Sequence, residues 1–137
     1  MIGKITIPAP NEEPVAAETT HHVFVYGTLK QGHGNHRLLI DSELVGKATA
    51  EGIAIHAATH SSFPFAMRNK QQTAHGEVYK INNFTLNKLD KLEGTPCFYQ
   101  RETTVCTLAS GEQIECWIYL SPRHAKHLPI LRNGIWL

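Results

Sequence analysis

The chain has 137 residues, 42% hydrophobic and 18% charged, with a formal charge of +1. That length suits one domain, and the balance is that of a folded globular protein. Lys and Arg are scattered singly, which argues against nucleic acid as a partner, because phosphate binding needs a concentrated basic face. No apolar run approaches the ~20 residues a bilayer-crossing helix needs. Residues 1–10 lack the apolar core of a signal peptide, so no membrane attachment and a cytoplasmic protein are expected. Cys97, Cys106 and Cys116 are odd in number and lack C-x-x-C spacing. Free thiols in a reducing compartment are therefore expected, not a zinc or redox motif.

Residues 1–20 carry Pro8, Pro10 and Pro14 without periodicity and read as an extended or disordered lead-in. The domain proper is expected over 21–137. His22-Val23-Phe24-Val25-Tyr26 is a short β-branched and aromatic run ended by Gly27, the pattern of a strand buried on both faces. A polar loop follows over 28–34, after which Asn35 is placed to cap a short helix over 36–40. Residues 45–56 suggest one or two strands interrupted by Gly46 and Gly52. Residues 61–64 form a turn, and 75–81 give a firmer strand.

The clearest helix spans 85–93. Thr85 is the expected N-cap, with Phe84 and Leu89 as the hydrophobic staple around it. Leu86, Leu89 and Leu92 mark the buried face, Gly94 the C-terminal stop and Pro96 a block to resumption. Two strands over 100–108 and 113–120 are joined by a hairpin at 109–112. The tail is mostly irregular, with Ile130, Leu131, Ile135, Trp136 and Leu137 packing back on the domain. This order of elements is α+β, a mixed or mostly antiparallel sheet, strongly curled, with one or two helices.

Two places can carry chemistry. At Tyr26-Gly27-Thr28-Leu29 a strand stops at a glycine, so successive N–H groups can face one concavity and hold a carboxylate or oxyanion. The same residues also fit an ordinary strand-to-loop turn. Glu93 follows Leu89 by four residues, at the edge of the apolar face. It is either a surface group or a buried acid whose pKa is raised by burial and by the negative end of the helix dipole. Among the nine histidines, His56 with His60 and His124 with His127 invite a metal, but no ligand set at zinc spacing is present. No metal or cofactor is expected.

The stretch Val23-Phe24-Val25-Tyr26-Gly27-Thr28-Leu29-Lys30, with Gly32 and Asn35-His36-Arg37-Leu38-Leu39, resembles the opening of the γ-glutamyl cyclotransferase-like family, in its γ-glutamylamine cyclotransferase branch. His75-Gly76-Glu77-Val78-Tyr79 resembles its central strand. Leu89-Asp90-Lys91-Leu92-Glu93-Gly94, then Pro96, Tyr99 and Arg101, resembles its catalytic helix and exit. Leu128-Pro129 and Gly134-Ile135-Trp136 resemble the tail of small bacterial members. The resemblance implies a small mixed β-barrel with one or two flanking helices and a cavity at one mouth. It implies that Tyr26, Gly27, Thr28 and Leu29 bind a γ-glutamyl group, that Glu93 is the acid/base, and that Tyr119 enters the cavity from a later strand.

The implied reaction is release of 5-oxoproline and a free amine from a small γ-glutamyl amine or peptide, without a cofactor. Two alternatives use the same pocket. One is ligand binding without turnover. The other is removal of a γ-glutamyl protecting group from a biosynthetic intermediate. The sequence sets neither the leaving group nor the choice between monomer and homodimer.

Overall fold

The computed structural model describes residues 20–57, 64–94, 99–121 and 126–136. Within them run strands β1 (Thr20–Val25), β2 (Glu43–His56), β3 (Phe65–Asn82), β4 (Gln100–Leu108) and β5 (Gln113–Leu120). One α-helix, α1 (Asn83–Glu93), follows β3, and a 3-10 turn spans His36–Leu39. The strands close in the order β1-β3-β2-β4-β5, an α+β barrel as the resemblance implies. All neighbours are antiparallel except β1 and β5, which meet in parallel with Val23 opposite Trp117. The expectations for residues 1–19 of the lead-in, the turn residues 61–63, His60, Pro96, Cys97, His124 and Leu137 lie outside the described residues, while Thr20, placed in the lead-in, opens β1.

β1 is apolar on both faces because a core lies on each. Phe24 enters the barrel with Ala50, Ile53, Val78, Cys106 and Ile118. Val23 and Val25 face outward under Leu86 and Leu89 of α1, beside Tyr79 and Tyr119. The alternation of strand side chains does this sorting: Val78 points in and Tyr79 out, Ile118 in and Tyr119 out. Gly46 and Gly52 bend β2 without ending it. Register shifts fall at both, between Leu44 and Gly46 and between Glu51 and Ile53, and Gly52 has φ +80°. Of the one or two strands expected, a single curled strand forms, bent and not interrupted at the two glycines.

The helix begins earlier than expected. Asn82 is the N-cap, extended at φ −99° and ψ 178°, and its side chain accepts from the Thr85 N–H at 2.9 Å. A cap of this kind is worth about 1 kcal/mol. With Asn82 already placed at the strand end, Thr85 becomes the third helical residue. Phe84 is then helical and 67% exposed, with the Lys88 ammonium 4.4 Å over its ring, so no staple forms. Leu86 and Leu89 are buried as expected, whereas Leu92 is 40% exposed. Gly94 ends the helix in the left-handed conformation at φ 69°.

The hairpin at 109–112 turns through Gly111 at φ +96°, closed by Leu108 N–H to Glu112 O at 2.8 Å. It leaves Cys106 and Cys116 buried as free thiols, diagonal to one another across β4 and β5. The tail is irregular but tied down, with Leu131 N–H to Ile55 O at 2.7 Å and His75 N–H to Gly134 O at 2.8 Å. Leu131 and Trp136 pack on the barrel core. Ile130 and Ile135 are each 40% exposed instead of packing in.

Candidate active site

The parallel pairing of β1 and β5 brings both C-terminal ends to one edge of the barrel. Val23 lies opposite Trp117, so two residues further on Val25 and Tyr119 arrive together. β4 starts at that edge, with Arg101 opposite Tyr119, which places Tyr99 just outside it. Pro64 is held nearby because Tyr99 Oη donates to its carbonyl at 3.0 Å. The last turn of α1 reaches the same place. A cavity of about 270 Å³ opens there, lined by residues 24–29 and by Asn35, Pro64, Leu92, Glu93, Tyr99 and Tyr119. Every residue singled out as a site candidate from the sequence therefore meets in one hollow.

The loop after β1 is braced from within. Lys30 N–H bonds Gly27 O at 3.0 Å and Asn35 N–H bonds Thr28 O at 3.0 Å. The Asn35 amide donates to Thr28 Oγ1 at 2.8 Å, so this side chain ties the loop and makes no cap bond to the turn it precedes. Behind the loop, Glu77 accepts from Gln31 N–H and from Tyr79 Oη, both at 3.0 Å. Lys30 Nζ donates to Trp136 O at 2.6 Å, which anchors the loop to the tail. Among the described residues, none accepts from the N–H groups of Thr28 and Leu29. Gly27 does not have positive φ. Its glycine is required by space, because a Cβ there would stand 2.9 Å from Cγ and Cδ of Pro64.

Glu93 is seven residues after Leu86 and four after Leu89, so it continues the buried stripe of α1. It is part-buried there, which is the edge position read from its spacing to Leu89. Burial removes its carboxyl from water and pushes its pKa up to about 7. Three tyrosines stand around it. Tyr26, Tyr99 and Tyr119 have their phenols pushed up first by burial, and the Glu93 charge opposes ionisation of all three. Tyr26 Oη donates to the Tyr119 carbonyl at 2.6 Å, so Tyr26 offers the cavity its ring while its hydroxyl is spent on the protein. Tyr119 Oη donates to Asp90 Oδ1 at 2.7 Å. An acid able to exchange a proton near neutrality, lining the same hollow as the loop, can perform general acid–base work on a bound substrate.

Pro64, Asp90, Tyr99 and Arg101 were not singled out from the residues themselves as site components and figured only within the resemblance. Helical spacing carried a signal for Asp90, since it precedes Glu93 by three residues and so shares its side of α1. Nothing local marks Pro64 or Tyr99, whose places follow from barrel closure. Among the described residues, no three His, Cys, Asp or Glu side chains converge in a way that could hold a metal ion, and no helix is long and apolar enough to cross a membrane.

Comparison with known proteins identifies the family and the fold. The family described as "Gamma-glutamyl cyclotransferase, AIG2-like" matches residues 23–137. A Methanocaldococcus jannaschii protein, named provisionally as a γ-glutamylcyclotransferase, is 38% identical over 105 residues, covering 74% of this chain and 84% of its own. The γ-glutamylaminecyclotransferase of Rattus norvegicus is 30% identical over 134 residues, covering 82% and 87%. The crystal structure of a mouse AIG2-like protein superposes with a TM-score of 0.74 at 25% identity, over 86% of this chain and 88% of that one. The chain belongs to the γ-glutamyl cyclotransferase, AIG2-like family.

Proposed function

We propose that this protein is a cyclotransferase that releases 5-oxoproline and a free amine from a γ-glutamyl amine or γ-glutamyl peptide, with Glu93 as its acid/base. One observation carries the reading: Glu93, its pKa near 7, and the loop Tyr26-Gly27-Thr28-Leu29 line a single cavity. The unspent N–H groups of Thr28 and Leu29 are donors for the substrate's carboxylate or for the oxygen of its γ-carbonyl.

The nucleophile is the substrate's own α-amine. It attacks the γ-carbonyl carbon, the new C–N bond closes a five-membered ring, and the C–N bond to the leaving amine breaks. The nucleophile is intramolecular, so the site's main task is to hold the glutamyl chain folded. The α-amine of a γ-glutamyl compound stands beside its own free α-carboxylate, whose charge holds its pKa above the about 7.7–8.0 of a peptide amino terminus. It therefore arrives as an ammonium, and a base such as Glu93, raised toward 7, must take its proton before it can attack. Glu93 takes the proton and returns it to the departing nitrogen, so no proton is gained or lost overall.

The functional unit in this reading is residues 21–137. The buried free thiols of Cys106 and Cys116 support a cytoplasmic setting. The test is a panel of γ-glutamyl-ε-lysine, γ-glutamyl dipeptides and glutathione, with 5-oxoproline as the measured product. At least one substrate should turn over, faster as pH rises through about 7, and Glu93→Gln should slow it at least about 100-fold. Binding without 5-oxoproline release by the wild type would shift the assignment to a ligand-binding protein.

A further inference from the structure

Beside the cavity, joined to it through Tyr119, stands a second carboxylate arrangement that the acid/base role of Glu93 does not use. Asp90 stands one turn before Glu93 on α1. Its Oδ1 accepts the Tyr119 phenol proton at 2.7 Å and lies 2.9 Å from Arg101 Nε. The Nε–H points off the line to that oxygen, so this second contact is an ion pair and not a directed hydrogen bond. Arg101 is itself steadied, its guanidinium carbon 4.2 Å from the Trp117 ring centroid, and it sits directly opposite Tyr119 in the β4–β5 ladder. The pair is partly open, with about a quarter of each side chain exposed (24% for Arg101 and 23% for Asp90).

A phenol carries one proton and accepts through its oxygen. With that proton committed to Asp90, the Tyr119 oxygen can meet the cavity only as an acceptor. The same Asp90 oxygen lies against the Arg101 guanidinium, a donor with no acceptor, so it serves as the accepting partner in this bond. Tyr119 lines the cavity together with Glu93, and the α-amine of a γ-glutamyl substrate arrives with N–H groups to place. Glu93 needs one of them, and an accept-only phenol oxygen suits another.

We propose that Tyr119 accepts a hydrogen bond from the substrate's α-amine, and that Asp90, paired with Arg101, is the positioning residue that fixes the phenol's polarity. This deepens the reading of the site given above and rests on it. Without Asp90 the phenol would be free to turn its own proton toward the amine, setting donor against donor.

The test measures binding in Glu93→Gln, where turnover is blocked, by calorimetry with a γ-glutamyl alkylamide and the matching glutaryl alkylamide, which lacks only the α-amine. Adding Asp90→Ala or Tyr119→Phe should weaken the γ-glutamyl ligand by about 10- to 100-fold, the range for a hydrogen bond to a charged group. The glutaryl ligand should change by less than about two-fold. The two substitutions together should do no more than either alone, since both remove one interaction. Asp90→Asn should restore most of the affinity, because its carboxamide oxygen still accepts the phenol proton. Equal weakening of both ligands, or additive losses, would overturn the positioning role while leaving the γ-glutamyl assignment intact. Failure of the Glu93→Gln protein and of the wild type to bind either ligand would bring down both.

Discussion

Replacing Glu93 by glutamine keeps the shape of the side chain and removes its titration, so the variant measures what the buried acid does to stability. The ordinary carboxyl value of 4.5 applies in the unfolded chain, and burial raises it to about 7 in the native protein. Between those values the native state keeps the proton while the unfolded state gives it up. Stability then falls as pH rises, because the native state binds more protons. The favourable contribution is complete below about 4.5 and gone above about 7. At about 1.4 kcal/mol per pH unit, the full difference is about 3 kcal/mol. The side chain is only partly buried, so water reaching it through the cavity brings the expected value to about 1–3 kcal/mol. For a chain of this size that is roughly 3–10 °C in Tm. Urea unfolding of wild type and Glu93→Gln at pH 4, 6 and 8 supplies the comparison. The difference between them cancels every other titrating group. Relative to its value at pH 4, the stability of the variant over wild type should grow by that amount at pH 8. A difference that stays constant from pH 4 to pH 8 would mean that the native carboxyl titrates normally, and the acid/base assignment would lose its physical basis.

Gly27→Ala places a methyl group 2.9 Å from the Pro64 ring. It should cost about 1–3 kcal/mol of stability by overpacking and weaken ligand binding through the displaced loop. Adding Pro64→Ala should recover most of both losses, and equilibrium unfolding with ligand titration would refute the steric explanation if the double variant were no better. Gly134→Ala combines a left-handed φ of +66° with a Cβ 1.9 Å from the Thr73 carbonyl oxygen. Neither can relax without breaking the tail from β3, so a loss above about 3 kcal/mol is expected in urea unfolding, and a change under about 0.5 kcal/mol would refute the close docking.

Local chemistry wrote much of this molecule into its sequence. β4 and β5 are legible because each is a run of strand formers, and one glycine turn separates them. α1 is legible as a helix because its leucines recur at helical spacing and Gly94 offers the left-handed stop. Its start was misplaced because Asn82 and Thr85 are both competent caps, and only the end of β3 decides which is extended at the right point. Gly46 and Gly52 read as breaks, yet pairing with β3 on one side carries the chain through both as bends.

The two halves of the candidate site were each visible along the chain, as a strand ending in Tyr26-Gly27 and as an acid closing a leucine-striped helix. From the residues alone each also had an ordinary explanation, since a local pattern contains no information about what faces it. Barrel closure made the difference. The parallel meeting of β1 with β5 brings Tyr119 beside Val25, and the packing of Leu86 and Leu89 on that face turns Glu93 toward the loop. The raised pKa of Glu93 comes from burial, while the bond from Tyr119 to Asp90 and the ring of Pro64 behind Gly27 join residues 29 and 37 positions apart in the chain. Contacts of that range come into being only when the sheet closes, which is why the sequence could nominate the candidate groups while the tertiary structure alone determined their environment.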